Sequence, residues 1–158
     1  MSAGKIVGGG IVVIAAIAGV AMYWLQEYAY YTEVVFRKGA EIRLTLIDGG
    51  QAEPILVEGI KGIDADSSPL RFRACFTTPL SLAMLTETYK VYEGAEPLIA
   101  PTWFDCFDAA AIGAALVKGE AVAFLSEAGI ASDIDRIVAV FPDGRAYAWH
   151  QISSAAAE

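Results

Sequence analysis

The residues best suited to chemistry are few, because the 158-residue chain contains only two cysteines and one histidine. Cys75 and Cys106 lack the Cys-x-x-Cys spacing of redox-active pairs, so we expect them to form a structural disulfide. Such a bridge is worth about 3–4 kcal/mol of stability in the chain-entropy model. Free thiols, or thiols linked to a partner, are the alternative.

His150 lies beside Trp149 on a predicted strand near the C-terminus. A hydrolase would need a hydroxyl or thiol nucleophile within hydrogen-bond reach of this imidazole, and the chain has no Gly-x-Ser-x-Gly signature. We therefore expect His150 to be packed or hydrogen-bonded within the fold, and we predict no catalytic residue. A single histidine also argues against a metal centre, and we expect no cofactor.

Two arginines are candidates for contact with a ligand or a partner. Arg71 and Arg73 share one face of a predicted strand, and a guanidinium group suits a carboxylate or a phosphate. Ion pairing with the nearby Asp64 and Asp66 is the simpler alternative.

Trp103 and Phe104 begin an aromatic-rich run that ends at Phe107. Small domains have few large side chains to spare, so we expect this run to be buried in the core. Exposed aromatic side chains also serve as interface anchors, and contact with a partner is the alternative.

The N-terminal segment is typical of a transmembrane helix. No charged residue lies between Ile6 and Leu25, and a helix of that length spans about 30 Å, the thickness of the hydrocarbon core. Aromatic residues follow, as in an interfacial belt: Tyr23, Trp24, Tyr28, Tyr30 and Tyr31. A cleaved signal peptide is the alternative, because the small residues near Ala21 resemble a cleavage site.

Small residues form a narrow stripe along this helix. Gly4, Gly8, Ala15 and Gly19 fall on one side at helical spacing, which lets a second helix approach closely within a membrane. The alternative is that Gly and Ala are simply common in bacterial anchors.

The flanking charges and the cysteines indicate an orientation. Lys5 precedes the helix and Glu27 and Glu33 follow it, which favours a cytoplasmic N-terminus. Paired cysteines belong to an oxidising compartment. We therefore predict an anchor in a bacterial inner membrane with the C-terminal domain in the periplasm.

Residues 39–152 predict one small α+β domain with a mainly antiparallel sheet and two helices. An anchor and juxtamembrane segment at 1–38 precedes it, and a flexible tail at 153–158 follows. Residues 59–69, rich in Gly, Asp and Ser, predict a loop. The predicted strands are 41–47, 55–57, 70–76, 88–92, 121–125, 136–141 and 145–152, and the predicted helices are 78–86 and 109–118.

The charge balance excludes one class of partner and favours another. The formal net charge of -8 argues against nucleic-acid binding, which needs clustered Lys and Arg. An acidic exported domain favours basic partner proteins, and a lysine-rich cytochrome c is one such periplasmic partner.

Three segments carry a family resemblance: residues 63–79, 103–107 and 144–151. With them, nearly the whole chain resembles an uncharacterised alphaproteobacterial family of single-pass inner-membrane proteins. The resemblance implies an anchor, a small exported domain and no known activity. Members sometimes carry a histidine-kinase label, which this chain does not support because it has no phosphoacceptor histidine motif and too little length for an ATP-binding domain.

These features together favour a non-enzymatic accessory or assembly subunit of a larger inner-membrane complex. Such a subunit would contact integral membrane subunits through its helix, and we expect the host to be a respiratory-chain oxidase or supercomplex. The alternative is a membrane-anchored periplasmic ligand-binding or sensing module, which predicts a pocket lined by Arg71, Arg73 and aromatic side chains.

Overall fold

The computed structural model describes residues 2–154 and divides into two units. The first unit ends at Tyr31 and the second begins at Thr32. Residues 32–38, the end of the predicted anchor and juxtamembrane segment, fall in the second unit.

The first unit is a long apolar helix. Helix α1 spans Ala3–Trp24 and continues into a π-helical turn at Leu25–Ala29. Together they form a 27-residue helix with an apolar window of mean hydropathy 2.3, none of which is buried by protein. The length and composition are those of a membrane-crossing helix, which indicates membrane anchoring.

The second unit is built on a six-stranded antiparallel sheet in the order β1-β4-β5-β8-β7-β6. A smaller sheet pairs β2 with β3. The fold class is α+β, which confirms the prediction. The strands are β1 Thr32–Glu33, β2 Arg43–Thr45, β3 Ala52–Pro54, β4 Glu58–Asp64, β5 Arg73–Thr77, β6 Val122–Ala131, β7 Ile134–Val140 and β8 Arg145–Ile152.

The two faces of the large sheet are covered by different segments. Successive side chains of β5 point to opposite faces, so Ala74 and Phe76 face one side while Arg73 and Cys75 face the other. The first side holds the main core. Its buried residues are Ile42, Leu44, Ile55, Phe72, Ala74, Phe76, Leu85, Tyr89, Phe124, Val138, Val140, Ala146 and Ala148.

The opposite face is covered by residues 93–107, which we call the strap. Phe107 of the strap packs edge-to-face on Tyr147 and Trp149, with ring centroids 6.0 and 6.3 Å apart. Trp149 is fully buried as a result. The strap thus supplies the second hydrophobic layer of the domain.

Helix α3, Ala109–Lys118, has the predicted bounds. Asp108 caps it by accepting the Ala111 N–H at 3.0 Å, and Gly119 ends it in the left-handed conformation at φ 71°. Because both end signals are local, the sequence alone locates this helix.

Helix α2 spans Leu82–Thr88, so the predicted start at Thr78-Pro79 is wrong. Thr78 is buried, and its N–H donates to the Gly144 carbonyl at 2.9 Å, which ties it to the strand hairpin. Ser81 caps the helix instead by accepting the Met84 N–H.

The predicted loop at 59–69 is also wrong, because its first half lies in β4. Gly59 adopts φ 60° where the pairing with β5 shifts register, as in a β-bulge. Gly62 is needed for a different reason, since a Cβ there would lie 2.5 Å from Phe36 Cζ. Both glycines therefore serve a strand and its packing, not a loop.

Other predicted strands also differ from the structure, and the predicted 41–47 strand is shortened to β2. The strand at 55–57 instead lies just upstream, in β3. The strand at 70–76 begins only at Arg73, because Pro69–Arg71 forms a 3₁₀ turn that Ser68 caps. Residues 88–92 make single bridges, Leu46 with Tyr89 and Val91 with Phe124, so this segment joins the small sheet to β6.

The C-terminal hairpin of β7 and β8 around Pro142-Asp143-Gly144 is confirmed. Strand β6 extends beyond the predicted 121–125 and pairs with β7. The first residues of the predicted flexible tail are hydrogen-bonded: the Ser153 N–H donates to the Asp133 carbonyl and the Ser154 N–H to the Tyr92 hydroxyl. The rest of that predicted tail, 155–158, lies outside the described residues.

Candidate functional site

The strap is fixed to the sheet at three points, the first of which is Gln151. Its Oε1 accepts the Glu96 backbone N–H at 2.8 Å and the Trp149 indole N–H at 3.0 Å. Its Nε2 donates to the Gly94 carbonyl at 3.1 Å. One buried amide therefore satisfies the backbone where the strap begins.

Arg73 is the second fixing point. Its side chain is 3% exposed and donates to four backbone carbonyls. The acceptors and distances are Leu98 at 2.8 Å, Leu70 at 2.7 Å, Phe72 at 2.6 Å and Ile99 at 3.1 Å. The guanidinium also lies 5.7 Å from the Phe107 ring centroid. Arg73 thus binds the strap and does not face an external anion.

Arg71 does not share a strand face with Arg73. It lies half-buried in the 3₁₀ turn, which Pro69 at its first position favours over an extended strand. The turn breaks the alternation on which the prediction of a shared face depended.

The third fixing point is the disulfide between Cys75 on β5 and Cys106 on the strap. Cys75 is buried and Cys106 half-buried. The bridge holds the end of the strap, just before Phe107 enters the core.

The two aromatic residues before the disulfide have different environments. Phe104 is buried, whereas Trp103 is 38% exposed and meets Phe104 edge-to-face at 6.3 Å. Phe104 accordingly belongs to the core, and Trp103 presents an indole at the surface.

Trp103 lines an open cleft of about 470 Å³ between the strap and the outer edge of the sheet. Its charged residues are Glu33, Lys61 and Asp105, all exposed. Neither Arg71 nor Arg73 lines it. The complete lining is Glu33, Val34, Ile60, Lys61, Gly62, Ile63, Trp103, Phe104, Asp105 and Cys106.

His150 is held at both ring nitrogens. Its Nδ1–H donates to the Pro69 carbonyl at 2.6 Å, and its Nε2 accepts from Arg136 Nε at 2.9 Å. A carbonyl only accepts and a guanidinium only donates, so this pattern defines a neutral imidazole with its proton on Nδ1. The partners of the two ring nitrogens are thus a carbonyl and a guanidinium, and neither is a hydroxyl or a thiol.

The surroundings of His150 keep it neutral. Phe72 stacks on the imidazole with the ring centroids 4.6 Å apart, and Arg136 Cζ lies over the Phe72 ring, 4.4 Å from its centroid. Burial lowers the pKa of His150 to about 4, and the nearby Arg136 and Arg73 charges add to the effect. Arg136 in turn pairs with Glu127 at 3.3 Å.

We expect this histidine to make the domain sensitive to acid. The pKa of His150 is about 4 in the folded chain and near 6.5 when unfolded, so the unfolded state binds the proton first as pH falls. The stability that the neutral His150 contributes is fully present above pH 6.5. It falls by about 3 kcal/mol as the pH drops from 6.5 to 4. Urea unfolding across this range measures the loss. The His150→Gln variant should flatten this part of the profile, and an unchanged slope would contradict the assignment.

Sequence reasoning missed Arg136 and Gln151, which organise the hydrogen bonds around the last hairpin. The available signal was a polar side chain at an otherwise apolar strand position. Among residues 2–154, no three His, Cys, Asp or Glu side chains come together as a metal site.

The predicted helix-packing residues and aromatic belt occupy the first unit. Gly4, Gly8, Ala15 and Gly19 are all exposed on α1, and a Cβ added at any of the three glycines meets no atom within 4 Å. Tyr23 and Trp24 end α1, and the other three belt residues lie in or just after the π-helical turn, at Tyr28, Tyr30 and Tyr31.

A protein-family model, described as a family of unknown function (DUF6446), matches residues 42–158. The chain belongs to this family. The region that matches DUF6446 contains β2 to β8, the strap and helices α2 and α3. All three fixing points of the strap, namely Gln151, Arg73 and the disulfide, therefore lie within it. No curated protein and no solved structure matches the chain.

Proposed function

We propose that the protein is a non-enzymatic, single-pass accessory or assembly subunit of a larger inner-membrane complex. The observation that carries this proposal is α1, an apolar helix whose small-residue side is open. In lipid, helices associate by close packing at small residues, since no hydrophobic effect drives them together. A helix needed only as an anchor would not require such a side.

The C-terminal domain supports a contact role. Its one histidine is committed at both nitrogens to Pro69 and Arg136, and Arg73 is committed to backbone carbonyls. The polar side chains best suited to chemistry therefore hold the fold together. What the domain presents outward is an acidic surface and a cleft with an exposed indole.

Charge supports a basic partner on the exported side. Lys5 is the one charged residue before position 26, so the remainder holds 10 of the 11 basic residues and all 19 acidic ones. A net charge of -9 steers basic proteins toward the domain. A lysine-rich cytochrome c fits this description, and we propose a respiratory-chain oxidase or supercomplex of an alphaproteobacterium as the host.

The proposed location follows from the same features. The disulfide suits an oxidising compartment, and Lys5 before the helix suits a cytoplasmic N-terminus. We place the domain in the periplasm. The ligand-binding alternative is less well supported, because it requires a pocket lined by Arg71 and Arg73, and the cleft beside Trp103 is lined by neither.

Isolation from native membranes tests the role. We expect the tagged full-length chain, extracted in mild detergent, to migrate with a larger complex whose subunits mass spectrometry identifies. Gly8→Leu should weaken that association, because the added side chain blocks close helix approach. Gly10→Leu, on the opposite side of α1, is the matched control. Migration of the wild type as a free monomer, or equal losses in both variants, would contradict the proposal.

A further inference from the structure

We propose that the cleft beside Trp103 receives a lysine or arginine side chain of the basic partner protein. This inference rests on the proposed function, since it assigns the contact point for that partner. In this cleft an exposed aromatic ring and two carboxylates, those of Trp103, Glu33 and Asp105, border one cavity.

The lining suits a cation on an aliphatic stem. Glu33 and Asp105 supply two exposed carboxylates, and the Trp103 indole supplies the aromatic face that best attracts a cation. Val34 and Ile60 give apolar contact for the methylene groups of a long side chain. At about 470 Å³ the cleft also has the size of ordinary binding pockets, about 300–1,000 Å³.

The cleft is preorganised, which favours its use as a binding site. One wall is the strap, fixed by the Cys75–Cys106 bridge and by the Arg73 hydrogen bonds to the Leu98 and Ile99 carbonyls. The other wall is β4, paired on its inner edge with β5. Neither wall has to be ordered when a partner binds, so little conformational entropy is lost.

Lys61 provides an opposite sign within the same cleft. Its ammonium group repels an incoming cation. The carboxylates of Glu33 and Asp105 outnumber it, which leaves the cleft with a net charge of about one negative unit. Removing Lys61 should therefore strengthen binding, whereas removing either carboxylate should weaken it. If these exposed side chains had only a structural role, removing Lys61 and removing a carboxylate would not change the binding affinity in opposite directions.

A peptide titration tests the cleft separately from the host complex. Full-length protein in a neutral detergent is titrated with trilysine at low salt by calorimetry, while NMR follows the Trp103 indole N–H. We expect saturable binding that shifts this resonance. Asp105→Asn and Glu33→Gln should each weaken binding about twofold to fivefold, and Lys61→Gln should strengthen it by about the same factor.

Glu87→Gln is the matched control, because Glu87 is an exposed acid on α2, which packs on the opposite face of the sheet. Equal weakening by Glu87→Gln and Asp105→Asn would mean attraction to overall negative charge and would overturn the proposal. A Trp103 resonance unmoved by trilysine but shifted by phosphatidylethanolamine vesicles would also overturn it, by assigning the cleft to lipid amines. Either result leaves migration with a larger complex unaffected, so the two proposals fail independently.

Discussion

Cys106→Ser should lower the free energy of unfolding of the C-terminal domain by about 4 kcal/mol. The bridge spans 31 residues, and its loss returns that much loop-closure entropy to the unfolded chain. In the folded state, loss of the bridge also releases the end of the strap beside Phe107. Urea denaturation of the full-length protein in detergent, followed by near-ultraviolet circular dichroism, measures the change.

Reduction of the wild type provides the control for this prediction. Dithiothreitol should reproduce the loss in the wild type and leave the Cys106→Ser variant unchanged. A wild type that unfolds at the same urea concentration with and without the reductant would show that the bridge contributes no stability.

Arg73→Met should lower the free energy of unfolding by a similar amount, about 3–5 kcal/mol, because it leaves buried carbonyls without their hydrogen-bond donor. Methionine retains much of the side-chain volume, so the loss reports hydrogen bonds more than packing. The carbonyls of Leu98 and Ile99 lie in the strap, which should then exchange its amide hydrogens faster. Hydrogen exchange by mass spectrometry and urea unfolding give both readouts.

Arg145→Met is the matched control for Arg73→Met. Arg145 is more than half exposed and pairs with Asp143 at 2.7 Å, an arrangement in which solvent screens the interaction. We expect its unfolding midpoint to stay at the wild-type value. If both variants unfolded at the same urea concentration, the hydrogen bonds of Arg73 would not be what holds the strap on the sheet.

Local signals explain which elements were predictable. Helix α3 carries its own cap at Asp108 and its own stop at Gly119, so its bounds follow without knowledge of the rest of the chain. The hairpin around Pro142-Asp143-Gly144 is equally local, and so is the apolar run of α1.

The errors occurred where a residue serves a distant neighbour. Gly62 resembles a loop glycine, but it is a strand residue that makes room for Phe36. Thr78 resembles a helix cap, but its backbone is bound to Gly144 across the hairpin. Such choices depend on tertiary packing, which overrides local preference.

The candidate site was predictable only in part for the same reason. Cys75 and Cys106 pair in the structure, and their number and spacing already favoured that. The cleft itself combines Glu33, Lys61 and Asp105 from three separate segments. No sequence pattern relates these positions, so only the folded chain brings them together.

Fractionation of native cells tests most directly whether the helix is a permanent anchor. We expect the protein to stay with the membranes after alkaline carbonate extraction, and its intact mass to include α1. Mature chains that begin after Ala21 and are recovered from the soluble periplasmic fraction would contradict the account, because such a protein has no helix with which to join a membrane complex.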